Sequence, residues 1–372
     1  MFSLFDLLVL IGLTQGVITS ILLLRSNKNK LSNKFLALAL LTFCLLSSKV
    51  LLGYLGLTDI PILRYIPFGV EYALAPLLYF YVVSLITPKF KFKKKNLVHF
   101  IPFAIFQSYA FLVYFSVVGF DLNIDKDQYI AQLYYESIKR WEDYLVLVSI
   151  ISYLTASFFK LKHYQLQLKE TTSDNTFPTF NWLMRIFVLS SVLGLIILIN
   201  LSLDLFLDFK QRHDFHWQAL YVYIAFLIYY LGFVGYQQPK FEIEGIEEKE
   251  KNKKTRSLSD EKASQIAGLI KNALDEDYVY LNPTLSAKEL AKSLKVSQAN
   301  LSYVVNYSFG MTFKDLINKH RVQRVKEKLN DKNSNSLSIL AIALECGFNS
   351  EASFYRVFKK ETGLSPKEYS QK

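Results

Sequence analysis

Apolar residues dominate the chain up to Tyr236 in seven long runs, after which the pattern changes to short amphipathic repeats. The runs are Leu4 to Leu24, Phe35 to Leu55, Ile62 to Ile86, Leu97 to Val118, Tyr144 to Phe159, Trp182 to Phe206 and Ala219 to Tyr236. A helix rising about 1.5 Å per residue needs roughly 20 apolar residues to cross a bilayer. The seven runs are therefore candidate spans, the fifth being the marginal one. The alternative is seven buried helices of a large soluble protein. That would require polar faces, which segments such as Val188 to Ile199 lack. The first run opens without the basic residues of a signal peptide and continues to Arg25, so it reads as a retained span.

From Gln237 to Arg256 the sequence turns to Gln-Gln-Pro and mixed Glu and Lys, without apolar periodicity. This reads as a solvated linker, with a short charged coiled coil as the weaker alternative. Beyond it the apolar spacing is that of packed helices. Ser257 and Asp260 have capping-box spacing ahead of Ile266, Leu269, Ile270, Ala273 and Leu274. Ser286 begins a helix through Leu294, and Lys295-Val296-Ser297 makes a turn. A helix from Gln298 to Phe309 then buries Leu301, Val304 and Val305 and turns Gln298, Ala299, Asn300, Ser302, Tyr303 and Asn306 outward.

The unit recurs. Leu290-Ala291 is echoed by Ile342-Ala343, Leu301, Val304 and Val305 by Phe354, Val357 and Phe358, and Gly310 by Gly363, at offsets of 52, 53 and 53 residues. Gly347 closes the first helix of the second unit, and Ser350 caps the next, which presents Glu351, Ala352, Ser353, Tyr355, Arg356 and Lys359. Phe313, Leu316, Ile317, Val325 and Leu329 mark a connecting helix between the units. The organisation expected is an all-α chain: a seven-helix transmembrane bundle at 1–236, a linker at 237–256 and a DNA-reading domain at 257–372. Its helix-turn-helix units fall at about 286–309 and 338–361, joined by a connecting helix at about 313–329.

The stretch Ile342-Ala343-Leu344-Glu345-Cys346-Gly347-Phe348-Asn349-Ser350, then Phe354 to Lys360, then Thr362-Gly363-Leu364-Ser365-Pro366-Lys367-Glu368-Tyr369, resembles the C-terminal signature of AraC/XylS-type transcription regulators. The resemblance implies a seven-helix DNA-binding domain with two recognition helices, sequence-specific promoter binding and bacterial origin. It covers 257–372 and is silent on the first 236 residues. Lys295 stands where the family often has Gly, and Val325 where Ala is common.

Charge sharpens this picture. The chain carries +11, yet residues 257–372 hold 17 Lys and Arg against 13 Asp and Glu, so a basic face rather than a basic domain must meet phosphate. Candidates for phosphate contact are Ser297, Lys314, Lys319, Ser350, Lys360 and Lys367, with Lys359 able to serve there too. In the N-terminal half, thirteen basic residues (Arg25, Lys28, Lys30, Lys34, Lys89, Lys91, Lys93, Lys94, Lys95, Lys160, Lys162, Lys169, Arg185) alternate with loops holding six (Arg64, Lys126, Lys139, Arg140, Lys210, Arg212). The positive-inside rule makes the thirteen cytoplasmic, the N-terminus external and the C-terminal domain cytoplasmic in a bacterial inner membrane.

Glu71, between Pro67 and Pro76 near the centre of the third run, and Lys49, late in the second, form a candidate signal site. The plainer reading has Lys49 snorkelling and Glu71 satisfied by a neighbouring helix. His213 and His216 are too few for a metal, and Trp217 reads as an interfacial anchor. Cys44 and Cys346 give no disulfide framework. Neither metal, cofactor nor catalysis is expected. The expected partners are double-stranded promoter DNA, RNA polymerase, the lipid bilayer, a second copy in a homodimer, and a signal ligand or partner membrane protein. The other functional classes are a transporter or membrane enzyme with an autoregulatory tail, and a regulator released by proteolysis.

Overall fold

The computed structural model describes residues 3–27, 29–87, 90–121, 123–171, 178–207, 215–238, 258–331 and 337–370. Lys28, Lys89, Asp208, Lys210, Arg212, His213, Asp214, Ser257 and the linker from residue 239 to 256 lie outside the described residues. The described residues are helical and contain no β-strand. They divide into two compact units, Met1–Leu161 with Trp182–Glu242, and Lys162–Asn181 with Ile243–Lys372.

The first unit is built on α1 (Leu4–Arg25), α2 (Lys30–Tyr54), α3 (Glu71–Ile86), α4 (Ile101–Val117), α5 (Asn123–Gln132), α6 (Tyr135–Thr171) as far as Leu161, α7 (Pro178–Leu207) from Trp182 onward, and α8 (Phe215–Gln237). Ser3 and Asp6 form a reciprocal capping box that starts α1. Among the described residues, six helical segments are long and apolar enough to cross a membrane, and Glu71–Ile86 is a shorter apolar helix. Small residues let α1, α2 and α8 approach one another. A Cβ added to Gly12 would lie 2.8 Å from the Ala225 Cβ of α8, and one at Gly235 would lie 2.5 Å from Leu36 Cδ2 of α2. Close backbone approach of this kind replaces the hydrophobic effect where the surrounding solvent is lipid.

The third run departs from expectation. It was expected to be helical from Ile62 to Ile86 with Glu71 near its centre, yet the helix starts at Glu71. Pro61 and Pro67 remove two amide donors, Pro67 disfavours helical torsions at Ile66, and Tyr65 adopts a positive φ of 65°. Glu71 therefore occupies the first helical turn, where the exposed amides favour an anion. Part of the irregular stretch is satisfied by Gln107, which accepts from Gly69 N at 3.1 Å and donates to Pro67 O at 2.6 Å, and part by Tyr114, which donates to Ile62 O. Pro76 is accommodated inside α3. The fifth run, expected at Tyr144 to Phe159, belongs to a much longer helix, α6.

A charged residue hidden in the sixth run ties α7 to α8. Asp204 accepts from Trp217 Nε1 at 3.0 Å and lies 3.0 Å from His216 Nε2, while Asn200 donates to His216 O. His216 is thus a buried structural partner, and Trp217 is anchored by a carboxylate.

The second unit contains α9 (Asp260–Asp275), α10 (Ala287–Ser293), α11 (Gln298–Ser308), α12 (Phe313–Asn330), α13 (Ile339–Glu345), α14 (Glu351–Thr362) and α15 (Pro366–Ser370). The N-cap of α9 is Ser259, not the expected Ser257. Two apolar cores form. One joins Ile266, Ile270, Leu290, Leu301, Val305 and Ile317, and the other joins Val322, Val325, Ile342, Phe354, Val357 and Phe358. Helix α12 contributes to both, so one continuous rod carries two cores.

Candidate nucleic-acid interface

Each helix-turn-helix begins at a hydroxyl cap. Ser286 accepts from Glu289 N and Glu289 returns a bond to Ser286 N at 2.9 Å, closing a capping box on α10. The chain turns through Lys295, whose φ of 55° is the left-handed conformation that glycine adopts without cost. Val296 N donates to Ala291 O to close that turn, and Ser297 then caps α11 by accepting from Asn300 N at 3.1 Å. In the second unit Ser338 caps α13, and Ser350 caps α14 by accepting from Ser353 N. Gly347 supplies the turn with φ of 89°, and Phe348 N donates to Ala343 O as Val296 does to Ala291 O. Gly310 and Gly363, the paired glycines of the repeat, both have positive φ.

The buried faces fall where the periodicity puts them: Leu301, Val304 and Val305 on α11, Phe354, Val357 and Phe358 on α14. The opposite faces are open. Ala299, Tyr303 and Asn306 are exposed and Gln298 and Asn300 half-buried on α11, while Glu351, Ala352, Tyr355, Arg356 and Lys359 are exposed on α14. Asn306 also donates to Ser302 O one turn back.

Three expected contact residues are misplaced. Ser302 and Ser353 are buried, because small side chains at the margin of each apolar stripe pack with it rather than facing outward. Lys314 is 9% exposed, since it lies in the first turn of α12 beside the core residue Phe313. Among the other phosphate candidates, Lys319, Lys360, Lys367 and Ser297 are exposed and Ser350 is half-buried. Lys360 is engaged with Asp315 at 3.1 Å. Burial pushes the Asp315 carboxyl up, but hydrogen bonds from Thr312 and Lys360 outweigh it and hold the group below the usual carboxylate range. Burial also pushes the Cys346 thiol up to about 11, which makes it a packing residue.

Two residues that matter escaped the sequence reading. Tyr307, 66% exposed, stacks on Tyr303 with ring centroids 5.4 Å apart and extends the open face of α11 by one turn. Its signal was the four-residue spacing from Tyr303. Arg321 is 1% exposed, and it donates from Nε to Tyr280 O and from a terminal nitrogen to Asn282 O, both at 2.7 Å. It occupies the same stripe as Phe313, Ile317 and Val325, four residues apart in each step. A Cβ added at Gly347 would lie 2.5 Å from Tyr280 O and 3.0 Å from Arg321 Nε. The turn after α13 therefore rests on the loop between α9 and α10, with the Arg321 guanidinium beside the contact.

Residues 290–372 match a family model described as a helix-turn-helix domain. The chain is similar to uncharacterised HTH-type transcriptional regulators of Staphylococcus aureus, one of them 34% identical over 112 residues, which cover 30% of this chain and 14% of that protein. It is also similar to the melibiose operon regulatory protein of Escherichia coli, 30% identical over 106 residues, 28% of this chain and 32% of that protein. The chain thus spans a minor part of the relatives it matches. A solved structure of a protein of unknown function from Listeria innocua is 26% identical, covering 28% of this chain and 94% of that one, with a TM-score of 0.25. The C-terminal region carries a helix-turn-helix domain of AraC type.

Proposed function

We propose that this chain is a membrane-embedded transcription regulator: a seven-span bundle at 1–236 receives a signal, a linker at 237–256 connects it, and the domain at 257–372 reads promoter DNA. The observation that carries the proposal is the pair of capped helices, α11 and α14, each with an apolar face locked in its own core and a polar, aromatic and basic face left open. A helix presented in this way fits the major groove, and two held on one rod suit segments about 34 Å apart.

Glu351, Ala352, Tyr355, Arg356 and Lys359 on α14, and Gln298, Ala299, Asn300, Tyr303 and Asn306 on α11, are the base-reading set, with Tyr307 added. Lys319, Lys360, Lys367 and the capping serines meet phosphate. For the bundle, support comes from six helices of spanning length and from α3, extended by the Gln107-satisfied stretch before it to make a seventh crossing. Irregular backbone at membrane depth is tolerated only where its polar groups find partners. The basic loops favour an external N-terminus and a cytoplasmic reader. Two tethered copies on adjacent sites would raise each other's effective concentration, which gives a signal a route through protomer spacing and gives RNA polymerase a fixed neighbour. Nothing in this route requires catalysis.

Chromatin immunoprecipitation of the intact protein, compared with the transcripts altered by its deletion, tests the proposal. Enrichment at promoters of the altered genes is expected. Absence of any enriched sequence, or a reporter fused after Lys372 that is active only outside the cytoplasm, ends it.

A further inference from the structure

Three helices of the first unit enclose a cleft. Its lining runs from Leu74 to Val82 on α3, from Ile150 to Ser157 on α6 and from Ile186 to Leu193 on α7. At about 1.5 Å per residue each wall is roughly 11 Å long, and the empty space, counted to the open mouth, is about 510 Å³. That is room for a small molecule. A Cβ added to Gly194 would lie 3.3 Å from Ile150 Cγ2, and the rings of Phe158 and Phe187 are 5.9 Å apart, so α6 and α7 run antiparallel along the cleft. Tyr79 and Tyr153, with ring centroids 5.5 Å apart, join α3 to α6.

Every lining side chain is buried or half-buried, whereas Ile151, Val188 and Leu195 on the same helices are exposed. The cleft is thus recessed from the outer apolar surface.

Four hydroxyls interrupt its apolar lining. One is taken, because Tyr153 Oη lies 2.7 Å from His99 Nδ1 and leaves only its ring as a wall. The other three, on Tyr79, Ser157 and Ser190, make no side-chain hydrogen bond among the described residues. Nearby hydroxyls behave differently: Ser152 donates to Val148 O, Thr155 to Ile151 O and Ser191 to Phe187 O, each closing on its own helix. Ser157 is only 8% exposed and lines the cleft. An unpartnered hydroxyl in apolar surroundings is costly, so three around one space point to a partner delivered into it.

No Asp, Glu, Lys or Arg lines the cleft, so a charged group there would lack a counterion and carry the cost of a charge at membrane depth. The tail of a bilayer phospholipid would fill the length and leave the hydroxyls unpaired. We propose that the cleft binds an uncharged, membrane-soluble amphiphile, a hydrocarbon skeleton bearing a hydroxyl or carbonyl oxygen. Tyr79, Ser157 and Ser190 hydrogen-bond the oxygen, and the skeleton lies along Leu78, Leu154 and Ile186. The inference rests on the reading of the bundle as the receiving half of the protein, and it names the class of molecule received.

The test uses the full chain in lipid nanodiscs with a photoreactive, diazirine-bearing decanol, and the matched diazirine-bearing decane as the probe without oxygen. Adducts are located by peptide mass spectrometry. The alcohol labels the cleft walls of α3, α6 and α7 saturably, and unlabelled 1-decanol displaces it whereas decane does not. Labelling at the exposed Phe115 of α4, which reports partitioning into lipid, saturates with neither probe. Tyr79→Phe, Ser157→Ala and Ser190→Ala combined weaken the apparent affinity about tenfold, as loss of a hydrogen bond should. Ala75→Phe, which fills the cleft, abolishes saturable labelling. Should Ala75→Phe fail to fold, the variant without hydroxyls and the comparison of the two probes still decide. Equal saturable labelling by both probes, cleft labelling that never saturates, or unaltered affinity in the variant without hydroxyls overturns the proposal. Promoter binding is measured separately on the same preparation. Failure of saturable labelling with promoter recognition intact counts against this site alone, and the reverse counts against the regulatory reading.

Discussion

The two units differ in what they expose. In the C-terminal unit the apolar side chains of α10, α11, α13 and α14 close into cores and the outside is polar, as water demands. In the N-terminal unit, leucines, isoleucines and phenylalanines such as Ile11, Leu112, Phe115 and Leu195 face outward, while Asp6, Asn33, Glu142 and Asn200 are buried. The N-terminal unit also buries apolar side chains such as Val9, Leu36 and Leu40, so the contrast lies in what each surface exposes. What differs is the exposed surface, and a surface carrying so many apolar side chains is the kind that lipid would cover.

The largest effect that sharpens this contrast lies in the second core. Phe358→Ala removes a fully buried ring and should cost about 3–5 kcal/mol, read as loss of hydrogen-exchange protection in α13 and α14 with α1 to α8 unaffected. A more direct attempt to break it places one charge on each surface. Leu195, 54% exposed on α7, changed to Arg should cost about 2.5–3.5 kcal/mol of membrane insertion. Leu344→Arg, 49% exposed on α13, should stay within about 0.5 kcal/mol in a folding assay. Equal tolerance at both positions would mean that both units face water.

Within the reader, Arg356→Ala should relax preference at one base position by about 1–3 kcal/mol in a sequence-selection assay, whereas Lys367→Ala should weaken all sequences alike and reduce the salt slope by about one counterion. The smallest effect concerns acid. The Asp315 carboxyl is held below its ordinary range in the folded chain, so the stability it lends is full above about pH 4, the unfolded value, and fades as pH falls through the lower folded value. Because the side chain is 40% exposed, solvent screening keeps this contribution below about 1 kcal/mol. Comparing wild type with Asp315→Asn in acid denaturation below pH 4 measures it.

Much of this arrangement was legible beforehand, because periodicity reports burial. The tandem repeat, its caps and its buried trios follow from spacing alone. What escaped was set by backbone chemistry or by residues of ambiguous size. Hydropathy treats Ile62 to Ile86 as uniform, yet two prolines and a left-handed tyrosine end the helix at Glu71. Ser302 and Ser353 sit where a small hydroxyl suits either side of a helix. Arg321 was passed over because a charged residue on an apolar stripe reads as a break in the pattern, whereas here it fills that position and feeds two backbone carbonyls. Asp204 likewise vanished inside a hydrophobic run that it serves to fasten.

The contact of Gly347 with the Tyr280 carbonyl has a bearing on promoter grammar. With the guanidinium of Arg321 bonded to that carbonyl, the spacing of α11 and α14 is tied to contacts within the polypeptide. An operator lengthened by a single base pair between its halves would rotate one half out of register with helices held at this spacing.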